Sequence, residues 1–386
     1  MALTSLVNRV KTMITPTETP TLDVDNSEEK RPYLYGLRGI LALCSIATVF
    51  FQTFVPALVW EDSDGPKYQT LIRIVFSPIF WDEQLICSFF FALSSYATAL
   101  RFLHSPVPSA FSGSIVRRVF RMVLAIAPAC GIAFGIFGGI GTQNIEHFQT
   151  VLPNPKIVAP EIPRNALVGM NAIFDLFWAV RDYSSLAANT FWPTHTLWSL
   201  SLIFSQSWTT YFLMVILPYC RPSWHFGALA MFAVGSFWAC SWGWYNAATL
   251  VLADHSVIPQ LRSRFDEGLT IRKSWTWKIP YVLVAASMMI AGFAMKFAWT
   301  VLPQYYDKEL VLRPFLHLSE KTGIEDYASS DPYPRLDNAL VIFGTLLLTE
   351  RSLLVKRCLS NRPLVLIGKR SLSKSDIANL ISGGLY

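Results

Sequence analysis

Charge is scarce in this sequence. Asp, Glu, Lys and Arg make up 15% of its 386 residues and hydrophobic residues 52%, against about 25% charged in a soluble domain. Mean hydropathy is +0.37. These values exclude an ordinary water-soluble globule and leave a polytopic membrane protein. Cysteine pairs at redox or metal spacing are also missing. Cys44, Cys87, Cys130, Cys220, Cys240 and Cys358 are scattered without a CxxC, and most lie in apolar runs, where a thiol is a small core hydrophobe. No nucleophile elbow, phosphate-binding glycine loop or metal-ligand cluster occurs, so no metal and no tightly bound cofactor is expected. Asn-x-Ser/Thr is absent, so glycosylation cannot report topology. The net charge of +6 and pI of about 9.0 do not imply nucleic acid as a partner, because Lys and Arg fall beside apolar runs, where they set topology.

What the chain has in abundance is apolar text. Tyr35–Trp60 carries one charge, Arg38, followed by 22 uncharged residues. At 1.5 Å per residue these make about 33 Å of helix, enough for a hydrocarbon core of roughly 30 Å. Further apolar runs cover 84–100, 122–145, 197–220, 222–253, 279–301 and 338–349, the last extendable through Glu350 and Arg351 into Leu353–Val355. The links alternate in sign. Segments 101–121, 254–278 and 351–374 are basic, as is Arg221, whereas 61–83, 142–195 and 302–337 are acidic on balance. The positive-inside rule places the basic links in the cytosol. Arg221 and 254–278 then share one side, so 222–253 must turn back on itself, near Ser241–Gly243. The expectation is an all-α transmembrane bundle of about eight spans with both termini cytosolic. Residues 1–33 read as a polar cytosolic leader, 34–373 as the membrane domain and 374–386 as a divergent tail. Within 142–195, the apolar 166–180 predicts a helix on or dipping into the outer face.

Four stretches resemble the acyltransferase-3 family of membrane proteins. They are Tyr35–Thr53 (YGLRGILALCSIATVFFQT), Phe89–Tyr96 (FFFALSSY), Arg117–Pro128 (RRVFRMVLAIAP) and Thr196–Pro218 (TLWSLSLIFSQSWTTYFLMVILP). A fifth, Pro363–Ser373 (PLVLIGKRSLS), is similar to the family's late P-L-x-x-L-G-x-x-S. The wording looks like the fungal branch. The resemblance implies transfer of an acyl group, usually acetyl, from acyl-CoA as co-substrate to a hydroxyl of a lipid-like, sugar or secondary-metabolite acceptor. The sequence does not name the host membrane; the endoplasmic reticulum or plasma membrane is the expectation. The departures are specific. The family's histidine eleven residues after the first arginine is here Val49, and its glutamate after W-S-L-S falls among Leu202–Ser205. A span that closes the family's bundle after L-G-x-x-S is missing, so the end reads as truncated or alternatively spliced.

Acyl transfer to a hydroxyl needs a base, an oxyanion donor and cations for the coenzyme phosphates. Of the six histidines, His195 adjoins the W-S-L-S motif at the entrance to a span and is the candidate base. Arg38, Arg117, Arg118 and Arg121 start their spans on one side and are the candidate clamp for coenzyme phosphates. The competing role for them is anchoring to lipid headgroups. Gln52, with Trp198, Ser199 and Ser201, are the candidates to line the acceptor. Ser94 and Ser95 read as helix–helix hydrogen-bonding groups. Two alternatives stand beside the enzyme: a degenerate member that binds or regulates, and a transporter, which would need charged residues along its spans.

Overall fold

A computed structural model describes residues 31–59, 63, 65–104, 108–151, 159–178, 187–192, 197–257, 269–270, 278–302 and 332–369. The chain divides after Pro32, and the unit from Tyr33 onward is the bundle. Nearly all of the leader expected over 1–33, and all of the tail expected over 374–386, lie outside the described residues.

The bundle is all-α. Helix α1 spans Pro32–Phe54, α2 Lys67–Phe76 and α3 Glu83–His104. Helix α4 spans Pro108–Ile140, α5 Gln143–Val151, α6 Ala166–Trp178 and α7 Ala187–Thr190. Helix α8 is Trp198–Ile216, α9 Pro222–Trp238, α10 Gly243–Val257 and α11 Tyr281–Val301. Helices α12, Leu336–Arg351, α13, Leu353–Leu359, and α14, Arg362–Lys369, complete the described chain. Leu269–Thr270 and Lys278–Ile279 form a minimal antiparallel ribbon. Among the described residues, five helical stretches are long and apolar enough to cross a membrane: Pro32–Phe54, Lys67–Leu103, Phe111–Ile140, Trp198–Ile216 and Tyr281–Val301. A sixth candidate joins α12 to α13 across a bend of 100°. The chain is an integral membrane protein.

The run 222–253 does fold back. Helices α9 and α10 are antiparallel neighbours, with Phe237 against Trp244 at 5.5 Å between ring centroids and Phe226 against His255 at 6.4 Å at the other end. The chain reverses at Ala239–Trp242, where Cys240 takes the left-handed conformation (φ 54°), unusual for a residue with a β-carbon. At the open end of the hairpin His225 Nδ1 lies 3.8 Å from Asp254 Oδ2.

Helix α3 is central and packs on α8, α10 and α12. Its start is fixed by Asp82, whose Oδ1 accepts a hydrogen bond from Leu85 N at 3.0 Å, the side-chain N-cap that a helix requires for its orphan amides. Ala92, Ser95 and Ala99 on α3 and Ala247, Thr249 and Ala253 on α10 are all buried. Small residues at such interfaces let helices approach closely where lipid offers no hydrophobic drive. Helices α11 and α12, which run antiparallel, approach closely for the same reason: a β-carbon on Gly292 or Gly344 would press on the partner helix's backbone. A second core joins α4, through Met122, Ile126 and Cys130, to Leu176 and Phe177 of α6 and Phe204 of α8.

Two expectations about links need revision. Segment 61–83, read as a loop, contains α2, begun after Pro66, and a π turn over Ser77–Trp81; Tyr68, Leu71, Val75 and Phe76 remain exposed. The run ending at 349 does extend to Arg351, but it then turns by 100° instead of continuing as one span. The helix expected over 166–180 is present as α6.

Candidate functional site

The ends of the helices sort the charges. One end collects the start of α1, the end of α3, the start of α4 and the end of α12. There Arg38 lies within electrostatic reach of Arg118 and Arg121, and Arg101 within reach of Arg117 and Arg121. Among the described residues Arg38, Arg117, Arg118 and Arg121 form no ion pair. Arg117 and Arg121 are exposed, whereas Arg38 and Arg118 are half-buried. Arg117 turns back on its own helix, donating from Nε to Gly113 O at 3.1 Å.

Arg118 is held by both neighbours of α4. It donates to Ser94 Oγ at 2.9 Å, to Thr98 Oγ1 at 3.1 Å and weakly to Ile203 O at 3.5 Å; the Tyr211 hydroxyl lies beside it. A planar fork with five donors can be fixed by two hydroxyls and still present donors elsewhere. Its Nε is buried with no hydrogen-bond partner among the described residues. Ser94 thus orients an arginine, while Ser95 does what its sequence context predicts. It lies 3.0 Å from both Thr210 Oγ1 and Thr249 Oγ1, and Thr210 in turn donates to Asn246 Oδ1 at 3.0 Å. This hydroxyl network ties α3 to α8 and α10.

An acid also sits at the arginine end. Glu350 Oε1 accepts hydrogen bonds from Tyr33 and Tyr96, each at 2.7 Å, and Oε2 is 3.7 Å from Lys356, whose ammonium lies over the Tyr33 ring. Glu350 is therefore engaged with α1, α3 and α13.

The fifth stretch resembling the acyltransferase-3 family meets the first. A β-carbon on Gly36 would overlap the Leu359 carbonyl, one on Gly39 the Leu364 carbonyl, and one on Gly368 the Tyr35 carbonyl. Only glycine permits that backbone approach. The Gly-Leu-Arg-Gly around Arg38 is thus the seat for α13 and α14.

The remaining candidates are not brought to the arginines. Gln52 lies fourteen residues beyond Arg38 on α1, about 21 Å along the helix. Trp198 donates to Glu83 Oε1 at 3.0 Å, and Ser199 contacts Cys87, both where α3 and α8 start. Ser201 is buried further along α8. His195 lies outside the described residues. Val49 is buried at 5% exposure and Phe204 at 2%.

At the opposite end, the sequence reading passed over Lys296, one lysine in the apolar run 279–301. It is buried at 4% exposure and pairs with Asp82, with Asp337 3.8 Å away. Arg335, 1% exposed, bonds Asp337 at 3.1 Å and Tyr333 OH at 3.0 Å. The Tyr245 hydroxyl donates to Arg335 O at 2.7 Å. Two cations and two carboxylates compensate one another. A charge inside an apolar run is the signal that could have found this group.

Compared with protein-family models, curated proteins and solved structures, the chain matches none.

Proposed function

We propose that this chain is a membrane-bound acyl-CoA-using O-acyltransferase whose coenzyme phosphates are held by Arg38, Arg118 and Arg121. One observation carries the reading. Residues from four separate stretches resembling the acyltransferase-3 family converge on Arg118: Arg38 from the first, Ser94 from the second, Arg118 and Arg121 from the third, Ile203 and Tyr211 from the fourth. Three like charges gathered without a carboxylate partner among the described residues repel one another. A polyanion such as a coenzyme pyrophosphate relieves that repulsion and takes charge-assisted hydrogen bonds from guanidinium forks. Arg118, oriented by two hydroxyls, would receive phosphate without reordering.

The positive-inside rule assigns the arginine end to the cytosol, where acyl-CoA is available. With the α9–α10 hairpin counted as two crossings, the spans number about eight. Single cysteines placed at Arg121 and Arg357 should both resist a membrane-impermeant thiol reagent applied outside intact cells. Labelling of either would invert the topology.

A second reading has its own support. Val49 and Phe204 are apolar and buried where the family has its histidine and close to where it has its glutamate, which favours a chain that binds acyl-CoA without turning it over. Calorimetric titration of the purified protein in detergent with acetyl-CoA separates the outcomes. Binding with consumption in the presence of hydroxylated acceptors supports the enzyme. Binding alone supports the degenerate form. Absence of binding, or binding untouched by Arg118→Gln, overturns the site.

A further inference from the structure

We propose that α13 and α14 form an interfacial element that binds the headgroups of anionic phospholipids. The proposal is independent of the acyl-CoA reading. Helix α12 ends at Arg351, and the chain turns by 100° into α13. If α12 runs across the bilayer, a bend near a right angle lays α13 along its surface. The new helix is started by Ser352, whose hydroxyl accepts from Val355 N at 3.4 Å, so the turn is a capped boundary rather than a frayed end.

The exposed surface of this element is of two kinds. Leu353, Leu354 and Leu366 stand out at 79%, 73% and 59% exposure. Arg357, Arg362 and Lys369 are exposed beside them. Segment 351–374 contains no acid. In water such leucines would be a liability. At the headgroup boundary they bury in acyl chains while the long basic side chains extend to phosphate. Lys356 is not available for this role, since Glu350 and the Tyr33 ring hold it. Basic clusters directly following a membrane span attract anionic lipid over zwitterionic lipid. The backbone contacts at Gly36, Gly39 and Gly368 fix the element to α1, so the basic face has a defined position on the bundle.

The test is native mass spectrometry of the full chain in detergent with equal amounts of phosphatidylserine and phosphatidylcholine. Wild type should retain phosphatidylserine preferentially. The triple variant Arg357→Gln, Arg362→Gln, Lys369→Gln should lower that preference by roughly tenfold or more, while Arg117→Gln with Arg121→Gln should leave it in place. Equal retention of the two lipids by wild type overturns the proposal. So does a preference that survives the triple variant, or one abolished only by the Arg117 and Arg121 pair. Soluble glycerophosphoserine at the same concentration should not displace the lipid. If it does, the site reads a free phosphate and the interfacial assignment fails.

Discussion

The two ends of the bundle use the same kinds of residue to opposite purpose. At one end Asp82, Lys296, Asp337 and Arg335 are buried and paired, two positive against two negative. At the other, Arg38, Arg118 and Arg121 gather with no ion pair among the described residues, and the nearby Glu350 is occupied by two tyrosines and a lysine. Burial of a charge is tolerated when its partners replace water. The first end meets that condition from within and needs no ligand. The second meets it only for Arg118, through hydroxyls, and leaves a local excess of positive charge. Compensation, rather than charge itself, separates the two clusters, and its lack at the arginine end is what the proposed phosphate site rests on.

The largest effect should come from breaking the compensated end. Lys296→Met leaves Asp82 and Asp337 facing each other without their shared cation, and should cost about 3–5 kcal/mol of stability. Thermal unfolding in detergent measures it, and adding Asp82→Asn should recover part of the loss. An unchanged unfolding temperature in the single variant would show that the pair contributes nothing. Gly368→Ala should come next. Its methyl would meet the Tyr35 carbonyl, and overpacking of this kind costs about 1–3 kcal/mol. Limited proteolysis should then cleave between 353 and 369 faster than in wild type. At the uncompensated end, Arg38→Lys should weaken acetyl-CoA binding by about 1–3 kcal/mol, because an ammonium cannot present a planar fork. Stability should be unaffected, and a parallel loss of stability would make Arg38 structural. The smallest effect is expected of Ser95→Ala, about 0.6 kcal/mol by analogy with interhelical hydrogen bonds in membranes. Thr210 and Thr249 keep other partners in Asn246. A loss of several kcal/mol would mean that the hydroxyl network acts as one unit.

Much of the architecture was legible because membrane spans write themselves as long apolar runs. Even the hairpin over 222–253 could be read, since Arg221 and the basic 254–278 demand the same side. The compensated end could not be. Lys296 is one charge among apolar residues, and its partners Asp82 and Asp337 sit at helix starts 214 and 41 positions away in sequence. Pairing across such distances is decided by tertiary packing, which local pattern does not record. Helices α13 and α14 escaped for a different reason: seven and eight residues are too few to show a period. The arginine cluster was anticipated, but only the fold brings Arg38 to Arg118. Gln52 and Trp198, candidates for the acceptor rather than for the clamp, lie apart from it, Gln52 further along α1 and Trp198 at the start of α8.

The reversal at Cys240 also has a bearing on bilayer thickness. Helices α9 and α10 have 17 and 15 residues, about 25 and 22 Å at 1.5 Å per residue. A hydrocarbon layer of about 27 Å, as in the endoplasmic reticulum, exceeds them by a few ångströms, whereas a plasma membrane of roughly 32–33 Å exceeds them by far more. If the hairpin crosses the bilayer twice, as proposed, every additional ångström is met by thinning the lipid around it, at a fraction of a kcal/mol each. The five long apolar helices, 19 residues or more each, feel that pressure less, whereas α12, with 16 residues before its bend, shares it. On the proposed topology, in which the hairpin crosses twice, it would make the protein a local gauge of membrane thickness, with its lowest energy in a thin bilayer.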